Sequence, residues 1–156
     1  MLGQKRGQGK RWDELKIGES VHEKKVLAVR DIVLYLGLTD DTNPVFVEAN
    51  YVHQTPYEQL LVPSGLLSGW VESLISTKLP GAGSLICAQS LTFPKQVTHG
   101  ERVECSLEVI HKDEIQQRIS VAVHIQNEQS EDVTVGEIQV IPPITKSILQ
   151  QTYDNF

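Results

Sequence analysis

The chain has 156 residues, enough for one domain with a single hydrophobic core. Its formal net charge of −6 argues against nucleic acid as a partner, because phosphate binding needs a basic surface. No apolar run approaches the roughly 20 residues of a membrane span, and the first residues lack the apolar stretch of a secretory signal. We therefore expect a cytoplasmic protein without a membrane partner.

The cysteines and histidines show no metal-binding or redox pattern. Cys87 and Cys105 fall in predicted strands without a Cys-x-x-Cys pair, so we expect both to be buried, reduced thiols. The five histidines are scattered, with no Cys or His partner at ligand spacing. The sequence therefore predicts no metal site.

The N-terminal third combines a basic tail with a strand and a short helix. Residues 1–12 are glycine-rich and basic, which predicts a flexible tail, although an arm attracting an anionic ligand or partner is the alternative. We predict a strand over 20–29 and a helix over 30–38 with Ile32, Val33 and Leu36 on one side. Pro44 ends the helical region, and the polar residues before it are also ordinary turn residues.

A long central helix is predicted over residues 65–79. Its apolar residues recur every four positions and form a wide stripe. Gly65, Gly69 and Ser73 form a second row of small residues, which favours close packing against the sheet, passage of a substrate arm, or both. Ser64 is the predicted N-cap, and the unpaired N–H groups of the first turn carry partial positive charge.

The sequence changes to a period of two after Ser84, which predicts strands over approximately 85–93, 102–109, 118–126 and 133–141. Each predicted strand has an apolar and a polar face, which is typical of an antiparallel sheet that packs against another element on one side only. The central helix is the element to be covered. We predict an α+β domain over residues 13–143 and a C-terminal tail over 144–156.

The run Asp41-Thr42-Asn43-Pro44-Val45-Phe46 resembles the acid-x-Asn-Pro-x-His signature of the MaoC-like hotdog family of (R)-specific enoyl-CoA hydratases and 3-hydroxyacyl dehydratases. Other runs resemble family segments in the same order: Val62-Pro63-Ser64-Gly65-Leu66-Leu67, Leu79-Pro80-Gly81-Ala82-Gly83-Ser84, Gln89-Ser90-Leu91-Thr92-Phe93 and Val97-Thr98-His99-Gly100-Glu101-Arg102-Val103. The resemblance covers approximately residues 13–143 and implies a hotdog fold, in which a sheet wraps a long helix.

The resemblance also implies catalytic positions. Asp41 takes the place of the acid that activates water, and the backbone N–H of Gly65 takes that of the group receiving the thioester oxygen. Ser73 matches a polar position lining the site. Hydration of a 2-enoyl thioester needs both acid–base chemistry and such a donor.

Three further positions are assigned to substrate binding by the same resemblance. Asn43 matches the asparagine that shapes the turn, Phe46 stands where the family has its catalytic histidine, and Ser64 replaces a second histidine. Phe46 cannot transfer a proton. His53 could replace the lost group only if one continuous helix began at Phe46 and carried both residues.

Three functional hypotheses follow. The first is a hydro-lyase of fatty acid metabolism, an enoyl-CoA hydratase or 3-hydroxyacyl-CoA dehydratase with an altered site. The second is a non-catalytic acyl-CoA-binding or partner subunit of a hydratase. The third, favoured least, is a thioesterase using Glu72, the acid of the central helix.

The resemblance also implies the ligand and the assembly. It implies no cofactor and a coenzyme A thioester, or the equivalent acyl-carrier thioester, as substrate or ligand. A homodimer is the expected minimum. A higher oligomer and a heteromer with a histidine-bearing hotdog protein are the alternatives.

Overall fold

The computed structural model describes residues 7–144, which form one antiparallel sheet and four α-helices. The strands are β1 (Ser20–Val26), β2 (Leu85–Thr92), β3 (Arg102–Asp113), β4 (Arg118–Asn127) and β5 (Asp132–Ile141), in the spatial order β1-β3-β4-β5-β2. The helices are α1 (Val29–Thr39), α2 (Pro44–Val47), α3 (Ala49–Val52) and α4 (Ser64–Thr77). A 3₁₀ turn at Trp12–Glu14 precedes them. This α+β architecture agrees with the sequence prediction.

The core lies between α4 and one face of the sheet. α4 buries five apolar side chains from the predicted stripe, and β3 to β5 bury alternate residues opposite them because side chains of a strand alternate between its two faces. The buried residues of α4 are Leu67, Trp70, Val71, Leu74 and Ile75. The sheet therefore covers the helix on one side, and this burial stabilises the domain.

α4 ends at Thr77, two residues before the predicted boundary. The backbone N–H groups of Lys78 and Leu79 both donate to the carbonyl of Leu74, and the next residue, Pro80, cannot continue a helix. α1 is close to its prediction, with Ile32 and Leu36 buried. Val33 is 57% exposed, so it does not lie on the same side of α1 as these two residues, and that part of the prediction was wrong.

β2 departs from simple alternation. A bulge between Ile86 and Ala88 shifts its register against β5, so Ile86 and Leu91 both pack on the core although they are an odd number of positions, five, apart. The same shift leaves Cys87 exposed, and the prediction that it is buried was wrong. Cys105, on regular β3, is buried as predicted. Burial, with a further contribution from the nearby Glu23 carboxylate, raises the pKa of the Cys105 thiol to about 12.

The structure attaches part of the predicted N-terminal tail to the domain. The N–H of Gly9 donates to the carbonyl of Ala82 at 3.1 Å, and that of Lys10 to the carbonyl of Pro80 at 2.9 Å. Residues 1–6 and almost all of the predicted tail over 144–156 lie outside the described residues. Within residues 7–144, no helix is long and apolar enough to cross a membrane.

The two cysteines should therefore differ in reactivity. We expect Cys87 to react with an aromatic disulfide reagent at pH 8 in the native protein and Cys105 to react only after unfolding, because the thiolate is the nucleophile and Cys105 is buried in its protonated form. Release of the chromophore before and after adding guanidinium measures the reactivity of the two thiols. Cys87→Ser is the control and should abolish the native reaction. Rapid reaction of both thiols in native protein would contradict the predicted difference.

Candidate active site

The site begins at the turn that follows α1. The N–H of Asp41 donates to the carbonyl of Leu36 at 3.2 Å, which holds the turn against the last turn of the helix. Asp41 Oδ1 accepts the Asn43 N–H at 3.0 Å, and Asn43 Oδ1 accepts the Val45 N–H at 3.3 Å. Both side chains thus stabilise the turn, as such residues ordinarily do. Asp41 Oδ2 has no hydrogen-bond partner within residues 7–144, which leaves it available to a water molecule.

Phe46 lies in α2, which begins directly at Pro44. Its ring is half-buried and packs against the hydrophobic core. A phenyl ring neither donates nor accepts a proton, so it stabilises this corner only by packing. The structure places an apolar side chain five residues after Asp41, at the motif position where the family resemblance implies a histidine.

His53 does not share a helix face with Phe46. α2 ends at Val47 and α3 begins at Ala49, with Glu48 between them in an extended conformation. The single continuous helix required for that arrangement is therefore absent from this described segment. His53 is also exposed, and its ring makes no hydrogen bond within residues 7–144. Nothing in the geometry supports replacement of the histidine by His53.

Backbone hydrogen bonds connect α2 to the start of α4. The N–H of Leu61 donates to the carbonyl of Val45 at 3.0 Å, and the N–H of Val62 donates to the carbonyl of Val97 at 2.8 Å. His99 Nε2 lies 3.1 Å from the Leu61 carbonyl, which it can approach only as a donor. The segment before α4 is thus held from both sides, and it ties the start of α4 to α2, the helix that follows the turn carrying Asp41.

The N-cap of α4 is Pro63, whereas the sequence predicted Ser64. Ser64 is the first helical residue, its side chain is exposed, and no side-chain hydrogen bond caps the helix. Among the described residues, the backbone N–H of Gly65 makes no hydrogen bond. The first turn of α4 therefore presents an unpaired donor with partial positive charge, which suits a developing oxyanion.

The row of small residues on α4 is open to solvent in its middle. A Cβ added at Gly69 would meet nothing within 4 Å, and Ser73 is exposed. Tight packing against the sheet therefore does not explain Gly69. Ser73 lies eight residues after Gly65, about 12 Å along the helix axis. At this separation, Gly65 and Ser73 cannot contact the same small group at once. One extended ligand, however, is long enough to pass both residues.

Tyr35 is a residue that the sequence prediction missed. Its hydroxyl oxygen lies 1.8 Å from the position that a Cβ on Gly65 would occupy, so the tyrosine fills space that only a glycine leaves. Tyr35 follows the buried Ile32 by three residues on α1, and this spacing places it on the inward side of the helix. Helical periodicity was the available signal, but the contact with α4 depends on tertiary packing.

The alternative carboxylate, Glu72, lies on α4. It is half-buried, and its side chain makes no hydrogen bond or ion pair within the described range. No nearby group within that range therefore orients it for attack on a thioester.

A family comparison matches a MaoC like domain over residues 14–131. The chain belongs to the MaoC-like family. An (R)-specific enoyl-CoA hydratase from Rhodospirillum rubrum is 32% identical over 98 residues, which are 63% of this chain and 68% of that protein. A 3-hydroxybutyryl-CoA dehydratase from Methylorubrum extorquens is 28% identical over 98 residues, which are 63% of this chain and 62% of that protein.

The structural comparison agrees with this membership. The unliganded R-hydratase from Pseudomonas aeruginosa superposes with a TM-score of 0.83 at 28% identity, covering 88% of this chain and 88% of that chain. The predicted MaoC-like hotdog fold is thereby confirmed. These three relatives are two hydratases and a dehydratase, that is, hydro-lyases.

An added methyl group should change the stability of the protein in opposite directions at two glycines of α4. We expect Gly65→Ala to lower the free energy of unfolding by about 1–3 kcal/mol, because its Cβ would overlap the Tyr35 hydroxyl. Gly69→Ala, the matched control, should raise it by about 0.5–1 kcal/mol through helix propensity. Urea denaturation of both variants measures the difference. Equal stability of the two would contradict the contact between α1 and α4.

Proposed function

We propose that this protein is a hydro-lyase that adds water to a trans-2-enoyl-CoA or removes it from the corresponding 3-hydroxyacyl-CoA. The observation that carries the proposal is a pair of unpaired groups among the described residues, Asp41 Oδ2 and the Gly65 N–H. Their segments are joined by the hydrogen bond from the Leu61 N–H to the Val45 carbonyl. Hydration needs these two elements, a base for water and a donor for the thioester oxygen. Membership of the MaoC-like family supports the same reaction class.

The proposed chemistry divides between the two groups. Asp41 takes a proton from water as the water oxygen bonds to C3, and the electron pair of the double bond moves towards the thioester. The Gly65 N–H stabilises the negative charge that develops on the thioester oxygen. The protonated Asp41 then gives its proton to C2, which restores the thioester and gives a 3-hydroxyacyl product.

The remaining predicted site residues have supporting places in this proposal. Asn43 holds the turn that orients Asp41, and Phe46 forms an apolar wall of the water pocket. Ser64 is the first residue of α4, and its side chain is exposed. Ser73 lies about 12 Å further along α4, where an extended part of the ligand passes the open row of small residues. The ligand is a coenzyme A thioester or the equivalent carrier-protein thioester.

A second candidate function is that of a partner subunit that binds the acyl thioester without converting it. Phe46 is the specific observation in its favour, because loss of one acid–base group typically removes about 10²–10⁴-fold in rate. In that case a hotdog protein bearing a histidine supplies the missing group in a heteromer.

A homodimer is the assembly that accompanies the first proposal. β2 is an edge strand whose Leu85 is 65% exposed, and it offers a surface for pairing with a second copy.

The proposed base is tested by exchanging one atom of Asp41. Asp41→Asn keeps an oxygen for the Asn43 N–H but removes the proton acceptor, so we expect the turn to persist and hydration of a short trans-2-enoyl-CoA to fall at least about 10²-fold. Asp40→Asn is the matched control, because Asn tolerates the left-handed backbone at position 40. Loss of the enoyl-thioester absorbance at high enzyme concentration measures the rate.

The outcomes separate the candidate functions. An inactive native chain that still binds the thioester by calorimetry indicates the partner subunit. An active native chain with an equally active Asp41→Asn variant contradicts the role assigned to Asp41.

Restoring a histidine at position 46 is a further test. We expect Phe46→His to increase the rate of hydration, by up to about 10²–10⁴-fold, because it returns an acid–base group to the water pocket. Phe46→Leu, which keeps an apolar side chain against the core, should give no increase. Steady-state hydration rates of both variants, with thermal midpoints to control for packing damage, give the comparison. No gain from a folded Phe46→His variant would argue against position 46 lining the water pocket.

A further inference from the structure

Tyr35 reaches the start of α4 with its hydroxyl first. The hydroxyl oxygen lies 1.8 Å, and the ring carbon that bears it 2.8 Å, from the position of an added Cβ on Gly65. The Tyr35 side chain is half-buried against the hydrophobic core, which holds the ring in place. The polar end of this side chain is therefore directed at the glycine whose N–H is assigned to the thioester oxygen.

The Tyr35 hydroxyl has no hydrogen-bond partner in the described part of the chain. The hydrogen bond that Thr39 Oγ1 makes with this residue uses the Tyr35 backbone carbonyl, at 2.9 Å. This hydroxyl is not among the fully buried side-chain atoms, so water or a ligand can reach it. Here it lies beside a second unpaired donor, the N–H of Gly65. One oxygen with two lone pairs can accept from both donors, and a thioester carbonyl is such an oxygen.

We infer that Tyr35 is a catalytic residue whose hydroxyl donates a hydrogen bond to the thioester oxygen of the bound substrate, beside the N–H of Gly65. This inference rests on the proposed hydro-lyase function and adds a second donor to the same site. Two donors hold the developing negative charge better than one, and each is worth roughly 10²–10³-fold in kcat where such donors have been removed.

A second donor at the thioester oxygen changes what the site requires in place of the missing histidine. Tyr35 and Asp41 come from the same part of the chain, because α1 leads directly into the turn whose Asp41 N–H donates to Leu36. Asp41 Oδ2 accepts a proton from water while the water oxygen forms the bond to C3, and the electron pair of the C2–C3 double bond moves onto the thioester as an enolate. The protonated Asp41 then returns that proton to C2. The carbonyl reforms, and Tyr35 keeps its own proton throughout.

This sequence of steps needs one acid–base group instead of two. A single carboxylate can serve both proton transfers when the enolate survives between them, and two donors at its oxygen lengthen that survival. Tyr35 therefore compensates for Phe46 by stabilising charge and does not replace the lost proton transfer.

The test is the removal of one oxygen atom. Tyr35→Phe should lower kcat for hydration of a short trans-2-enoyl-CoA by about 10²–10³-fold with little change in KM, because the hydrogen bond strengthens as charge develops. Its thermal midpoint should equal that of the native protein, because within the described residues the hydroxyl has no partner to lose. Tyr57→Phe, at an exposed tyrosine with no role in the proposal, is the matched control and should leave kcat unchanged.

The native protein and Asp41→Asn are measured beside these variants, so that failure of the two proposals can be distinguished. An active native chain, an impaired Asp41→Asn variant and a fully active Tyr35→Phe variant would overturn the role of Tyr35 alone. A Tyr35→Phe variant with a higher kcat, or with only a raised KM, would overturn it as well. A native chain without hydration activity would overturn both proposals.

Discussion

Burial of α4 beneath the antiparallel sheet is the constraint on which the arrangement of the site depends. The helix directs its apolar stripe into the core, so its row of small residues must face away from the sheet. That orientation leaves Gly69 open and brings Gly65 against α1. The start of α4 is also fixed by backbone hydrogen bonds from Leu61 and Val62 to neighbouring segments. Core packing therefore positions groups that lie outside the core.

The site combines ordinary turn chemistry with an unusual set of neighbours. Asp41 orders its turn through one carboxylate oxygen, which leaves the other for water. Phe46 contributes packing and no proton transfer, while Tyr35 directs a hydroxyl at the helix start. The charge that develops during hydration can be stabilised either by faster proton transfer or by better donors at the thioester oxygen. In our proposal this chain relies more on the donors.

The errors of the sequence prediction have local physical causes. Alternation along β2 predicted that Cys87 is buried, but a bulge inserts an extra residue and shifts the faces. Ser64 has the side chain of a good N-cap, yet the helix includes it and begins after Pro63. Val33 has an apolar side chain near the predicted inner side of α1, but the short helix buries only Ile32 and Leu36. Each error concerns the precise position of a boundary or face.

The sequence by itself determined the α+β class, the central helix and the strands β3 to β5, because their periods of four and two extend over many residues. It also identified the turn with Asp41 through a short motif. Only the tertiary structure decided that Tyr35 meets Gly65 and that His53 does not share a helix with Phe46. Contacts between elements depend on crossing angles and loop paths, which no local pattern of residues specifies.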